Sequence, residues 1–90
     1  MSGSADAIVQ QYRAGARNFS RVQLREVDLI NVLLKEADFS QADLRQARFG
    51  KTDFSHTCLR SADLSYANLS VTILRGADLT GADLQDAGMG

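Results

Sequence analysis

The sequence predicts an all-β solenoid preceded by a short α-helical cap, and three observations carry that prediction. Large apolar residues recur at every fifth position from Phe19 onward. Small or β-branched residues recur with the same period two positions earlier, and Asp or Asn fills most of the positions between the two rows. A period of five matches neither the 3.6-residue period of an α-helix nor the two-residue alternation of a strand. A chain that turns a corner every five residues accommodates it. On each short side the large residue and the small one two before it share a face, because side-chain direction alternates, and both point inward.

Residues 1–16 stand outside this repeat. Ser4 suits an N-cap, Asp6 falls in the first turn that follows, and Gly15 can end the segment. A helix is therefore expected over about residues 5–14. Ile8 and Tyr12 lie four apart on one helical face. That face is expected to cover the open first coil at Phe19 and Leu24, since a terminal coil otherwise exposes its core and unpaired backbone.

Residues 17–90 form the repeat. The large column reads Phe19, Leu24, Leu29, Leu34, Phe39, Leu44, Phe49, Phe54, Leu59, Leu64, Leu69, Leu74, Leu79, Leu84 and Met89. It contains all four phenylalanines and every leucine except Leu33. The small column starts at Arg17 and continues through Val22, Val27 and Val32, then Ala37, Ala42, Ala47 and Thr52, and on to Ala87. Between the columns Asp or Asn occupies nine of fifteen positions, so the consensus is A-D-L-x-x. Proline, which would delete donors from a continuous ladder, is absent.

The runs Ala62-Asp63-Leu64, Ala77-Asp78-Leu79 and Ala82-Asp83-Leu84, the last two preceded by Gly76 and Gly81, resemble those of the pentapeptide-repeat proteins. The resemblance covers about four fifths of the chain. It implies a right-handed, four-sided parallel β-helix, here of about 3.5–4 coils; the period alone leaves a three-sided prism open. With four corners to a coil, residues twenty apart stack. One wall then carries Phe19, Phe39, Leu59 and Leu79, and the next Leu24, Leu44, Leu64 and Leu84. The third carries Leu29, Phe49, Leu69 and Met89, and the fourth Leu34, Phe54 and Leu74.

Ninety residues allow a single domain, and 44% apolar with 23% charged residues fits a folded chain. The net charge of −1 is too balanced for a nucleic-acid-binding surface. Cys58 is the one cysteine, so no internal disulfide forms. Met1 to Gln10 contains neither a secretory signal nor a membrane-spanning run, which makes the cytoplasm the expected location and a membrane no expected partner.

No catalytic, cofactor or metal constellation emerges. His56 and Cys58 both fall on outward rows, and zinc would find no second His or Cys. Asp43, Asp63 and Asp83 are expected to stack on one wall, with Arg25 and Arg45 on the same wall to neutralise some of their charge. Three stacked carboxylates can bind a cation. Because Asp and Asn recur on several walls, hydrogen bonding to backbone near the corners is the stronger reading. Gly76 and Gly81 sit at corners, where positive φ is tolerated, and no phosphate-loop sequence follows them. Leu33 and Ile73 replace Asp in one column two coils apart, with Ile30 and Val71 beside the same corner. These four residues form a candidate protein-contact edge, interrupted by Lys51 and Asp53. The last coil lacks a capping device, so self-association, a partner or fraying is expected there. Residues 1–60 carry nine Lys and Arg against seven Asp and Glu, whereas residues 61–90 carry one against four.

The functional expectation is a non-catalytic structural or protein-interaction module whose partner the sequence does not name. The resemblance implies an alternative, a DNA-mimicking protein that engages DNA gyrase. Short length and near-neutral charge argue against it.

Overall fold

The computed structural model describes residues 4–88, so the expected position of Met89 in the core lies outside the described residues. The helix α1 spans Ala5–Arg13. Ser4 caps its N-terminus, the hydroxyl accepting the Ala7 N–H at 3.3 Å. Its other end closes on Gly15, at φ +104°, with the Gly15 N–H donating to the Tyr12 carbonyl and the Ala16 N–H to that of Gln11. This is the Schellman arrangement, which satisfies carbonyls that a helix end would otherwise leave open. Ile8 is only 2% exposed and belongs to the core cluster, and the Tyr12 hydroxyl donates to the Lys35 carbonyl at 2.9 Å. The helix thus seals the first coil on the face expected of it.

Beyond α1 the chain winds as a right-handed, four-sided β-helix, the hand that parallel crossovers almost always take. Every bridge among the described residues is parallel and joins residues twenty apart, from Asn18–Asp38 to Asn68–Gly88. Each side contributes one bridged residue per coil, so the walls are ladders of isolated bridges rather than long strands. The ladder bonds alternate: the Leu24 N–H donates to the Asp43 carbonyl at 2.8 Å, and the Asp43 N–H donates back to Val22 at 2.9 Å.

The corners share one design. The residue two after each large side chain has φ between +55° and +72° at all fourteen corners from Arg21 to Asp86. At thirteen of them the small residue that follows donates its N–H to the carbonyl of the large one, as Val22 does to Phe19 and Ala62 to Leu59. A positive φ at the third residue with this bond is a type II turn. Only Gly76 and Gly81 bring glycine to that position; Glu, Gln, Arg, Lys, His, Tyr and even Val occupy it elsewhere. At the remaining corner the Leu29 carbonyl accepts the buried Thr52 hydroxyl.

Asp and Asn brace the start of nine of the fourteen corners. The Oδ1 of Asp38, Asp53, Asp63, Asn68, Asp78 and Asp83 accepts the N–H two residues on at 2.9–3.0 Å. Where that residue is Ser or Thr, its hydroxyl commonly donates to the same oxygen, as Ser65 does to Asp63. Asp43 accepts the Arg45 N–H at 3.2 Å and also holds the guanidinium, which donates from Nε at 2.8 Å and from Nη2 at 2.7 Å. The expected stacking of Asp43, Asp63 and Asp83 is present as successive bridges, and all three use their carboxylates for these backbone contacts.

The interior is filled by size compensation. The first coil pairs Val22, Val27 and Val32 with Leu24, Leu29 and Leu34, whereas the second pairs Ala37 and Ala47 with Phe39 and Phe49. Phe39 meets Phe54 edge-on at 5.9 Å, Phe54 meets Phe49 at 4.9 Å, and Phe19 stacks on Phe39 at 5.2 Å. Thr57 and Thr72 donate their hydroxyls to carbonyls one coil below, at 3.1 and 2.7 Å. Leu74, Leu79 and Leu84 differ from the expectation of a buried core: they are only partly buried, because no described coil lies above them.

Three outcomes follow from this geometry. Ala62, 1% exposed, has no room to grow, so Ala62→Leu is expected to lower stability by about 1–3 kcal/mol in chemical denaturation. Val71 is β-branched at φ 57°, a conformation costing roughly 1–2 kcal/mol for an L-residue. Val71→Gly is therefore expected to raise Tm, even though it loses side-chain bulk. The Arg45 guanidinium holds the Asp43 carboxyl below its ordinary value of 3.8. The stability this provides is present above that value and is lost as pH falls through the lower folded one. Acid titration of Asp43→Asn should show a shallower loss of stability below about pH 4 than the parent.

Candidate interaction surface

The outer face of the fourth wall collects the candidate contact edge. Leu33, Asp53 and Ile73 form one bridged column there, with Leu33 54% and Ile73 48% exposed. Each large side chain stands outward because it occupies the row whose neighbours on both sides point in. The corner between the third and fourth walls adds Ile30 and Val71, the latter 71% exposed. Ile30 rests over Gly50, its side-chain carbons 4.0 Å from where a Cβ would stand. The structure thus brings Ile30, Leu33, Val71 and Ile73 to one side of the molecule.

A cleft of about 480 Å³ continues this face beneath α1. Val9, Tyr12, Arg13, Arg17, Val32 and Leu33 line it, so Leu33 belongs to both the cleft and the column. Arg17 lies over the Tyr12 ring at 3.7 Å from its centre and donates to the carbonyls of Tyr12 and Ala16. The cleft was not foreseeable from the repeat, since it arises where a helix meets the first coil. Tyr66, 57% exposed, was also missed. It sits beside Arg45 and Asp63 on a different corner, and its one signal in the sequence is an aromatic among polar corner residues.

Charge is distributed unevenly around the walls. Arg45 pairs with Asp43 at 2.7 Å and reaches Asp63 at 3.9 Å; Arg60 pairs with Asp78, Arg48 with Asp28 and Arg25 with Glu26. All of these pairs lie on the first three walls and their corners. Around the fourth wall, Arg13, Arg17, Lys35, Lys51 and Arg75 make no ion pair among the described residues. Asp53 is the one carboxylate in that wall's outward column. The Ser55 hydroxyl and N–H hold it below the usual carboxylate range, with Lys35 adding to the effect.

His56 and Cys58 do not form a site. The His56 imidazole lies across Gly76, where a Cβ would approach Nδ1 to 2.4 Å, so the absence of a side chain there gives the ring its place. Cys58 is half-buried in the bridge column between Asp38 and Asp78. Among the described residues, no group of three or more His, Cys, Asp or Glu side chains is arranged to hold a metal ion, and no helix is long and apolar enough to cross a membrane.

Comparisons with known proteins agree with the repeat geometry. Residues 18–55 and 53–87 match the family described as pentapeptide repeats, in eight copies. No curated protein matches the chain. Among solved structures it is similar to HetL, a pentapeptide repeat protein involved in heterocyst differentiation regulation, from the cyanobacterium Nostoc sp. strain PCC 7120. The identity is 49% and the TM-score 0.96, over 98% of this chain and 37% of HetL. It is similar to a pentapeptide repeat protein of the Arabidopsis thaliana thylakoid lumen at 32% identity and a TM-score of 0.80, over 82% of this chain and 51% of the other. Rfr23 of the cyanobacterium Cyanothece 51142 gives 27% identity and a TM-score of 0.80, over 81% and 50%. The chain therefore spans between about a third and a half of the length of these relatives. With the family matched across nearly the whole solenoid, this chain belongs to the pentapeptide-repeat proteins.

Proposed function

We propose that this chain is a non-catalytic protein-interaction module that docks a protein partner on the outside of its β-helix, and that it does so in the cytoplasm. The observation that carries this reading is the fourth-wall face, where Leu33, Ile73, Ile30 and Val71 stand in solvent on a rigid grid. Val71 strengthens it. A β-branched residue in a left-handed backbone burdens the free chain, and such strain concentrates where function requires a particular side chain. The interior is filled with side chains, so among the described residues it offers no cavity in which polar groups could converge on a substrate. HetL's involvement in the regulation of differentiation is in keeping with a role exerted by binding. The gyrase-directed, DNA-mimicking alternative asks for an acidic rod, and the unpaired cations around the fourth wall oppose it.

Position-specific photo-crosslinking tests the main reading. A photoreactive residue at position 33 is expected to give a discrete covalent adduct in cells that express the protein. The same group at position 23, in the exposed outward row of the second wall, is expected to give none. Equal adducts from both positions, or none from either, would remove the fourth-wall face as the docking surface.

A further inference from the structure

We infer that the fourth-wall face receives an acidic segment of a partner protein, whose large apolar side chains seat on Leu33 and Ile73 and in the cleft beneath α1. This rests on the docking reading above and adds the partner's chemistry.

Two observations carry it together. The first is the sorting of charge. The arginines of the first three walls are engaged with Asp or Glu of this chain, apart from Arg21, which donates to the Gln41 side chain at 3.2 Å. The five cations around the fourth wall make no close ion pair among the described residues, and they outnumber the carboxylates beside them, Asp53 and Glu36, so this face keeps an excess of positive charge. The opposite wall carries the reverse character, its outward column reading Gln23, Asp43, Asp63 and Asp83. A partner that complements the fourth wall must therefore bring carboxylates, which also speed its encounter.

The second observation is the apolar centre within that ring of cations. Leu33 and Ile73 are separated by two coils, about 10 Å at the spacing of stacked parallel strands. Two residues seven apart on a helix are separated by about 10.5 Å along its axis. An amphipathic acidic helix laid along the rod can set one apolar side chain against Ile73 and another against Leu33. The next side chain along it would enter the cleft beside Val9 and Val32.

Competing occupants fit less well. Nucleic acid would satisfy the cations but would lay phosphates over exposed Leu and Ile. A second copy of this chain can offer its acidic second wall, yet that wall's column holds no large apolar side chain to meet Leu33 and Ile73.

Amide chemical shifts of the isotope-labelled chain report the outcome. The probe is a synthetic helical peptide of Glu with Leu at positions i, i+7 and i+11; polyglutamate and duplex DNA of equal charge serve as controls. The peptide is expected to saturate, with shifts confined to residues 9–17, 30–35, 51–53 and 71–75. Leu33→Ser with Ile73→Ser, both in outward positions and compatible with the fold, should weaken binding at least tenfold. Lys35→Glu with Lys51→Glu should weaken it and flatten its salt dependence. Shifts spread over all walls, no saturation at millimolar peptide, or equal binding of polyglutamate or DNA would each overturn the inference. A basic Lys–Leu peptide that bound the fourth wall in its place would also overturn it while leaving the docking reading standing. Failure of the crosslink at position 33 would instead remove the docking reading itself.

Discussion

The corner taken every fifth residue is the constraint on which the rest of the molecule depends. It sends one large and one small side chain inward per side and holds the interior to a fixed cross-section. Its cost is a left-handed backbone at fourteen positions, twelve of them not glycine. The ladder offsets that cost locally. The strained residue itself donates its N–H to the coil above, as Arg21 does to Ser40 and Gln46 does to Ser65. Carboxylates brace the turn from one side and the i to i+3 bond closes it from the other. The strain is thus spread over many corners, and it weighs most on β-branched Val71.

A fixed cross-section also explains how residue sizes vary inside it. Valine accompanies leucine in the first coil, and alanine accompanies phenylalanine at two sides of the second, so the smaller inward residue is found beside the larger one there. Threonine enters the small row where its hydroxyl can reach a carbonyl of the coil below, as Thr57 reaches Leu34. No buried side-chain nitrogen or oxygen among the described residues is left without a partner. The interior is therefore committed to packing and hydrogen bonding.

Those outer rows are free of the packing rule, and they differ from wall to wall. Three walls bind their own charges into Arg–Asp and Arg–Glu contacts and present a self-satisfied polar surface. The fourth exposes aliphatic side chains, keeps its cations unpaired and is extended by the cleft that α1 creates. Its asymmetry has no counterpart in the consensus, which concerns only the inward residues and the Asp or Asn between them. Ile8 is buried against the first coil, and Tyr12 bonds to it through the Lys35 carbonyl.

The order of Leu24, Leu44 and Leu64 along one wall, the inward pairing with alanine and the extent of α1 were all legible in the amino-acid sequence. Each is set by residues close in the chain and repeated many times, so a period or a cap is enough to reveal it. The sequence also marked Leu33, Ile73, Ile30 and Val71, because each breaks the polar pattern of its row. It showed nothing of the cleft under α1 or of the place His56 finds over Gly76. Nor did it show which arginines are paired and which are free. Those features depend on contacts between residues about twenty apart or between the helix and the first coil. Only the winding of the chain fixes which of its many charges become neighbours, and so only the tertiary structure decided where an uncompensated surface would lie.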